Sequence, residues 1–211
     1  MKTYLFDFDG TLVDSMPTYA SVMTKILDEA NIPYPDDLIK IITPLGPKGT
    51  AEYYVKLGLP LTEEEILEKM AGYFVTEYTY NVPAKKDVIT TLKILKERGD
   101  SLNVLTASAH TSLDPCLKRL GIFDIFDNVW SCSDFNTSKA DPKIYEMAAE
   151  KIGCTVDKVI FVDDNLLADK TAKSAGLQVY GIYDKSSEEY VDEIKKETDA
   201  YIYEFSELLN L

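Results

Sequence analysis

Histidine is almost absent from this chain: His110 is the only one in 211 residues. A histidine-built metal centre is therefore excluded, and a serine-histidine-acid triad is disfavoured. Cysteine is also sparse. Cys116, Cys132 and Cys154 lack paired spacing, which gives no support for a disulfide framework or a zinc knot and predicts reduced thiols. Basic residues are outnumbered, 22 against 36 acidic ones, and the formal charge of −14 opposes nonspecific attachment to nucleic acid or to an anionic membrane. No apolar run approaches the roughly 20 residues that span a bilayer, and no basic-then-apolar leader precedes the first strand. The expectation is a soluble, cytoplasmic protein, monomeric or a weak homodimer. In that compartment the glycosylation sequon Asn136-Thr137-Ser138 carries no meaning. Repeats and low-complexity segments are missing as well.

What the chain does have is concentrated at its start. Tyr4-Leu5-Phe6-Asp7-Phe8-Asp9-Gly10-Thr11-Leu12-Val13-Asp14-Ser15 is a short apolar strand that runs into two aspartates two positions apart. Side chains at i and i+2 of an extended strand share a face, so Asp7 and Asp9 project together beyond its carboxyl end, and Gly10 lets the chain turn away. Two carboxylates so close repel one another unless a cation or a shared proton intervenes. An Asp-Gly hairpin is the bland alternative, but no partner strand of alternating pattern follows Thr11. A second acidic pair, Asp163-Asp164, ends the apolar run Val159-Ile160-Phe161-Val162. Packing gives no reason for adjacent acids at the end of a buried strand, whereas a hard cation does: Mg²⁺ takes about six oxygen ligands. One carboxylate each from Asp7 and Asp164, with the Asp9 backbone carbonyl, would contribute to such a set.

The rest of the chain has two rhythms. From about residue 15 to 83 the apolar spacing is helical throughout, with helices expected over 15–30, 38–42, 51–57 and 63–78 and no convincing strand. Asp14 or Ser15 is the expected cap of the first. Asn81-Val82-Pro83 closes this block. Beyond Ala84, helices alternate with short strands at Leu102–Thr106, Val129–Ser131, Val159–Asp163, Leu177–Ile182 and Ala200–Tyr203. That is the rhythm of crossover units, and it predicts an α/β fold: a doubly wound, Rossmann-like parallel sheet with its ligand site at the carboxyl edge. The domains expected are a core of residues 1–14 and 84–211 and an all-helical insert of residues 15–83 after the first strand. Gly46-Pro47-Lys48-Gly49-Thr50 lacks the Gly-Lys-Ser/Thr run of a P-loop and reads as a glycine-rich turn between helices or as a loop that touches substrate.

The segment Asp7-x-Asp9-Gly-Thr-Leu-Val-Asp-Ser resembles the first signature of the haloacid dehalogenase superfamily in its phosphatase form, and the chain is similar to the phosphoglycolate phosphatase and beta-phosphoglucomutase-like subfamily. The resemblance implies that Asp7 is a nucleophile forming an aspartyl-phosphate and Asp9 the general acid/base. Paired carboxylates are independently suited to those two roles. It further implies that Thr106, in Val104-Leu105-Thr106-Ala107-Ser108, binds a phosphoryl oxygen together with the Ala107 backbone. Lys139, before Asp141-Pro142, offsets the charge of Asp7 and the phosphoryl group, with Lys143 as a decoy. Asp164 is then a direct Mg²⁺ ligand and Asp163 a direct or outer one, and the helical insert is the small cap that closes over the site. Lys48 becomes a candidate specificity residue.

Two departures stand out. Many relatives have glycine where Asp163 stands and another aspartate four positions after the ligand; here Ala168 holds that place and Asp169 follows, so Asp169 has no assured role. Mutases of this type carry a histidine on the first cap helix, at the position of Tyr19, which favours hydrolysis of a small phosphomonoester over phosphotransfer. A catalytically silent binding module on the same fold is the remaining alternative. His110 is expected at the exposed start of a helix, close enough to the site to be considered for substrate contact.

Overall fold

The computed structural model describes residues 1–211. Two compact units are present, residues 1–15 with 82–211, and residues 16–81.

The first unit is built on a six-stranded sheet of β1 (Thr3–Phe6), β2 (Ser101–Thr106), β3 (Asn128–Ser131), β4 (Val159–Asp163), β5 (Gln178–Ile182) and β6 (Ala200–Ile202). Strand order is β3-β2-β1-β4-β5-β6, and every pairing is parallel. The central strands are apolar without alternation because both faces are covered; all five residues of β4 are buried. On one face Leu5, Leu105, Phe161 and Val179 pack with Ile144, Tyr145 and Ala172. On the other, Phe6 lies against Phe126 and Phe205. Chain order reverses between β1 and β4, the switch point at which an open α/β sheet leaves a crevice for ligand.

The second unit comprises α1 (Met16–Glu29), α2 (Leu38–Ile42), α3 (Gly46–Lys56) and α4 (Glu63–Tyr80), without a strand. Its core is separate and includes Val22, Ile26, Leu27, Leu38, Tyr54 and Ile66. Thr62 caps α4 through a reciprocal box with Glu65. The first unit continues with α5 (Val88–Glu97), α6 (His110–Arg119), α7 (Lys143–Ile152), α8 (Leu166–Ser174) and α9 (Val191–Glu197). No helix is long and apolar enough to cross a membrane.

Two local expectations need correction. Gly46–Thr50 is not a loop but the start of α3: Pro47 sits in the first turn, where its missing N–H costs nothing, and the Thr50 hydroxyl donates to the Gly46 carbonyl at 2.8 Å. Of the two residues offered as the cap of α1, Asp14 or Ser15, the Ser15 hydroxyl is buried without a hydrogen-bond partner and makes no cap.

Candidate active site

The four segments singled out in the sequence meet at the carboxyl edge of the sheet. Asp7 follows β1 directly, and its backbone N–H donates to the Val162 carbonyl of β4 at 2.9 Å, which sets it beside the Asp163-Asp164 pair. The chain then folds back on itself: Gly10 N–H donates to Val13, and Leu12 and Val13 donate to Phe8. Gly10 is required there for two reasons. Its φ is +76°, and a β-carbon would stand 2.6 Å from Asp164 Oδ2. The adjacent Thr11 hydroxyl donates to Asp164 Oδ1 at 3.3 Å.

Asp7, Asp163 and Asp164 are buried, and each offers an oxygen within 4.8 Å of the others. Lys139 reaches into this group from the connection before α7. Its ammonium donates to Asp7 Oδ1 and Asp163 Oδ2, both at 2.7 Å. The connection is itself anchored, since the Tyr145 hydroxyl contacts the Lys139 carbonyl at 3.1 Å and the Ala168 carbonyl at 3.2 Å. Asp163 has its other oxygen taken by the Asn165 N–H at 2.8 Å. Asn165 in turn caps α8 by accepting from Leu167 and Ala168.

Burial dominates the electrostatics. It pushes the Asp7 carboxyl up to about 7, against the opposing pull of Lys139. Burial, with Asp163, Asp7 and Asp184 nearby, holds Asp164 well above the usual carboxylate range. For Lys139, desolvation works against the charge but Asp163 and Asp7 outweigh it, so the ammonium stays protonated. One cation thus faces three buried carboxylates.

Asp169 adds a fourth. It is fully buried on α8, neither carboxylate oxygen has a hydrogen-bond partner, and burial with the charges of Asp163 and Asp164 raises its pKa well above the ordinary value. A cluster of buried oxygens with too few donors fits a hard divalent cation carrying water.

On the other side of β1, Thr106 ends β2 and is buried. It meets Asp9 through a residue the sequence analysis quoted but did not single out: Ser108 donates its N–H to Thr106 Oγ1 at 3.1 Å and its hydroxyl to Asp9 Oδ2 at 2.5 Å. Thr11, with its bond to Asp164, was equally overlooked, although it lies inside the first motif. Ala107, between Thr106 and Ser108, is exposed. Lys143 is exposed on α7. Lys48 lies in the second unit, exposed on the first turn of α3. His110 starts α6 as expected, but it is held between two carboxylates, Asp114 Oδ1 at 2.7 Å and Asp134 Oδ2 at 2.8 Å.

The sequence profile described as haloacid dehalogenase-like hydrolase matches residues 4–182. Among characterised relatives, a phosphorylated carbohydrates phosphatase of Thermotoga maritima is 25% identical over 195 residues, covering 86% of this chain and 85% of that protein. A phosphoglycolate phosphatase of Pasteurella multocida is 28% identical over 188 residues, covering 84% and 83%. A solved structure of a CbbY mutant from Rhodobacter sphaeroides, in complex with xylulose-(1,5)bisphosphate, superposes with a TM-score of 0.80 at 18% identity, covering 99% of this chain and 96% of that one. The last is a likeness of fold.

Proposed function

The chain belongs to the haloacid dehalogenase-like hydrolase family, and we propose that within it this protein is a Mg²⁺-dependent phosphatase that hydrolyses a small phosphomonoester through an aspartyl-phosphate on Asp7. The observation that carries this reading is the pairing of Asp7 with Lys139 in a buried cluster with Asp163 and Asp164. Relatives that act on phosphorylated carbohydrates and on phosphoglycolate support the substrate class.

Lys139 fixes Asp7 Oδ1, leaving Oδ2 to attack phosphorus in line. As the new P–O bond forms and the ester P–O bond breaks, Asp9 gives its proton to the departing alcohol oxygen. Asp9 then takes a proton from water, which attacks the same phosphorus, frees phosphate and restores Asp7. The Thr106 hydroxyl and the Ala107 backbone bind phosphoryl oxygens, and Lys139 neutralises charge that grows in the transition state. Mg²⁺, when held by Asp7, Asp164 and the Asp9 carbonyl, supplies further charge compensation and orients the phosphoryl group. Asp163, with both oxygens engaged by Lys139 and Asn165, acts behind the ligands as an anchor for Lys139.

The helical unit of residues 16–81 is the proposed substrate-selecting cap, with Lys48 as a candidate contact for the substrate. Phosphotransfer is the weaker reading. Tyr19 stacks on Phe74, and burial raises its hydroxyl above the ordinary range, so it does not serve as a base near neutral pH.

The test is phosphate release from phosphoglycolate, hexose phosphates, nucleotides, pyrophosphate and p-nitrophenyl phosphate, with Mg²⁺ or with chelator, beside Asp7→Asn. Metal-dependent release that Asp7→Asn abolishes while its circular dichroism spectrum stays native is expected. Undiminished turnover by Asp7→Asn would remove Asp7 as nucleophile.

A further inference from the structure

Lys85 belongs to no motif, yet it is the most constrained lysine outside the acidic cluster. Its side chain is 18% exposed and its ammonium makes three contacts: the Gly10 carbonyl at 2.5 Å, the Tyr183 carbonyl at 2.7 Å and Asp184 Oδ2 at 2.9 Å. An ammonium has three hydrogens, so its donor capacity is fully used. The lysine backbone is tied to the same turn. Its N–H donates to the Leu12 carbonyl at 3.0 Å, its neighbour Ala84 bridges to Val13, and the Asp14 N–H donates to the Pro83 carbonyl at 3.0 Å.

We propose that Lys85 is a positioning residue of the phosphoryl-transfer site: by fixing the Gly10 carbonyl it sets the peptide between Gly10 and Thr11, and with it the direction of Asp9 on one side and Thr11 on the other. The inference rests on the phosphatase reading above, and Lys85 touches no reacting atom. Gly10 sits between the proposed acid/base and the hydroxyl that binds Asp164. Its N–H is held by Val13 and its carbonyl by Lys85, so the turn is fixed from both sides. Without the ammonium, the Gly10 carbonyl, the Tyr183 carbonyl and the Asp184 carboxylate would face one another with no shared donor. Mutual repulsion then rotates the Gly10 carbonyl away, and the peptides on either side must follow.

Holding a lysine this way is costly, because its flexible chain and its hydration are both given up. A salt bridge placed only for stability would need Asp184 alone. The two carbonyl acceptors, one of them inside the first motif, are what a positioning role requires.

The test uses the full-length protein and p-nitrophenyl phosphate with Mg²⁺. In Lys85→Met, kcat falls about tenfold or more, as expected when a reacting group is displaced by a fraction of an ångström, while KM stays within about twofold. The ¹³C resonance of the Gly10 carbonyl moves upfield in the same variant, as loss of a charge-assisted hydrogen bond requires. A folded Lys85→Met with wild-type kcat, or with an unmoved Gly10 resonance, overturns the proposal. Should the variant not fold, the wild-type protein decides: a slowly exchanging Lys85 ammonium with through-hydrogen-bond coupling to the Gly10 carbonyl supports the clamp, and its absence at neutral pH overturns it. The carbonyl and ammonium signals need no substrate. A wild-type protein without phosphatase activity would therefore refute the proposed function separately, while these signals still judge the clamp.

Discussion

A carboxylate pays heavily for burial unless something donates to it, and Asp169 has no protein donor for either oxygen. Since Asp163 and Asp164 both act on it, we expect its partner to be water carried by a cation on Asp164. Asp169→Asn should then weaken Mg²⁺ binding about tenfold, the usual cost of removing an outer partner. Titration calorimetry on the folded variant checks this, and wild-type affinity would show that the carboxyl serves no ligand. His110 presents the opposite case, a ring with a carboxylate on each nitrogen. Both bonds can be made at once only by the imidazolium, because the neutral ring has a single N–H. Its hydrogen bonds to Asp114 and Asp134 accordingly raise its pKa despite partial burial. A raised histidine pKa stabilises the fold fully below the unfolded value of about 6.5 and loses that contribution as pH rises through the folded value. The urea midpoint of the wild type should exceed that of His110→Asn at pH 6, and the gap should narrow toward pH 9. The energy involved is below about 1 kcal/mol because the pair is partly solvated. A gap independent of pH would mean that folding leaves the imidazole pKa unshifted, so that the two carboxylates do not favour its charged form.

At the scale of elements, the α4 cap offers a clean measurement, since Thr62 and Glu65 satisfy one another's backbone donors at an exposed helix start. Thr62→Ala should cost about 1 kcal/mol, read as a lower melting temperature, with turnover retained. A variant as stable as the wild type would show that the box contributes nothing in solution. The apolar spacing predicts this helix over 63–78 without naming its cap, and much of the architecture was legible in the same way. Strand β4 spans the residues expected, Val159–Asp163, because a fully buried parallel strand is a continuous apolar run with an abrupt polar end. Asp7, Asp163 and Asp164 were legible for the same reason: charge at the end of an apolar strand has no packing explanation. The start of α3 was not, because Gly and Pro punctuate turns in most settings and here occupy a first helical turn. Lys85 was illegible on different grounds. Its acceptors lie 75, 98 and 99 residues away, two of them are backbone carbonyls, and backbone carbonyls leave no mark on a sequence. Ser108, 99 residues from Asp9, was hidden likewise.

For the whole molecule the decisive fact is that each unit has a core cluster of its own. The cluster around Leu5, Phe161 and Val179 draws only on the sheet unit, and the cluster around Ile26, Leu38 and Tyr54 only on residues 16–81. The sheet unit also brings together the two points where the chain leaves and returns: Asp14 is hydrogen-bonded to Pro83, and Val13 bridges to Ala84. A short Gly-Ser linker from Ser15 to Val82 can therefore close the chain without straining the turn that carries Asp7 and Asp9. Closure also becomes easier, by about 0.6 kcal/mol for each halving of the connecting length. The shortened protein should unfold in one cooperative transition and keep the proposed Mg²⁺-dependent hydrolysis of p-nitrophenyl phosphate, because the residues proposed for it, Asp7, Asp9, Thr106, Lys139 and Asp164, all remain. What it should lose is discrimination among natural phosphomonoesters, seen as a flattened range of kcat/KM across the substrate panel. A shortened chain that is folded but inactive on the aryl phosphate would show that the helical unit supplies part of the chemistry, and one that keeps the full selectivity would show that the sheet unit alone chooses the substrate.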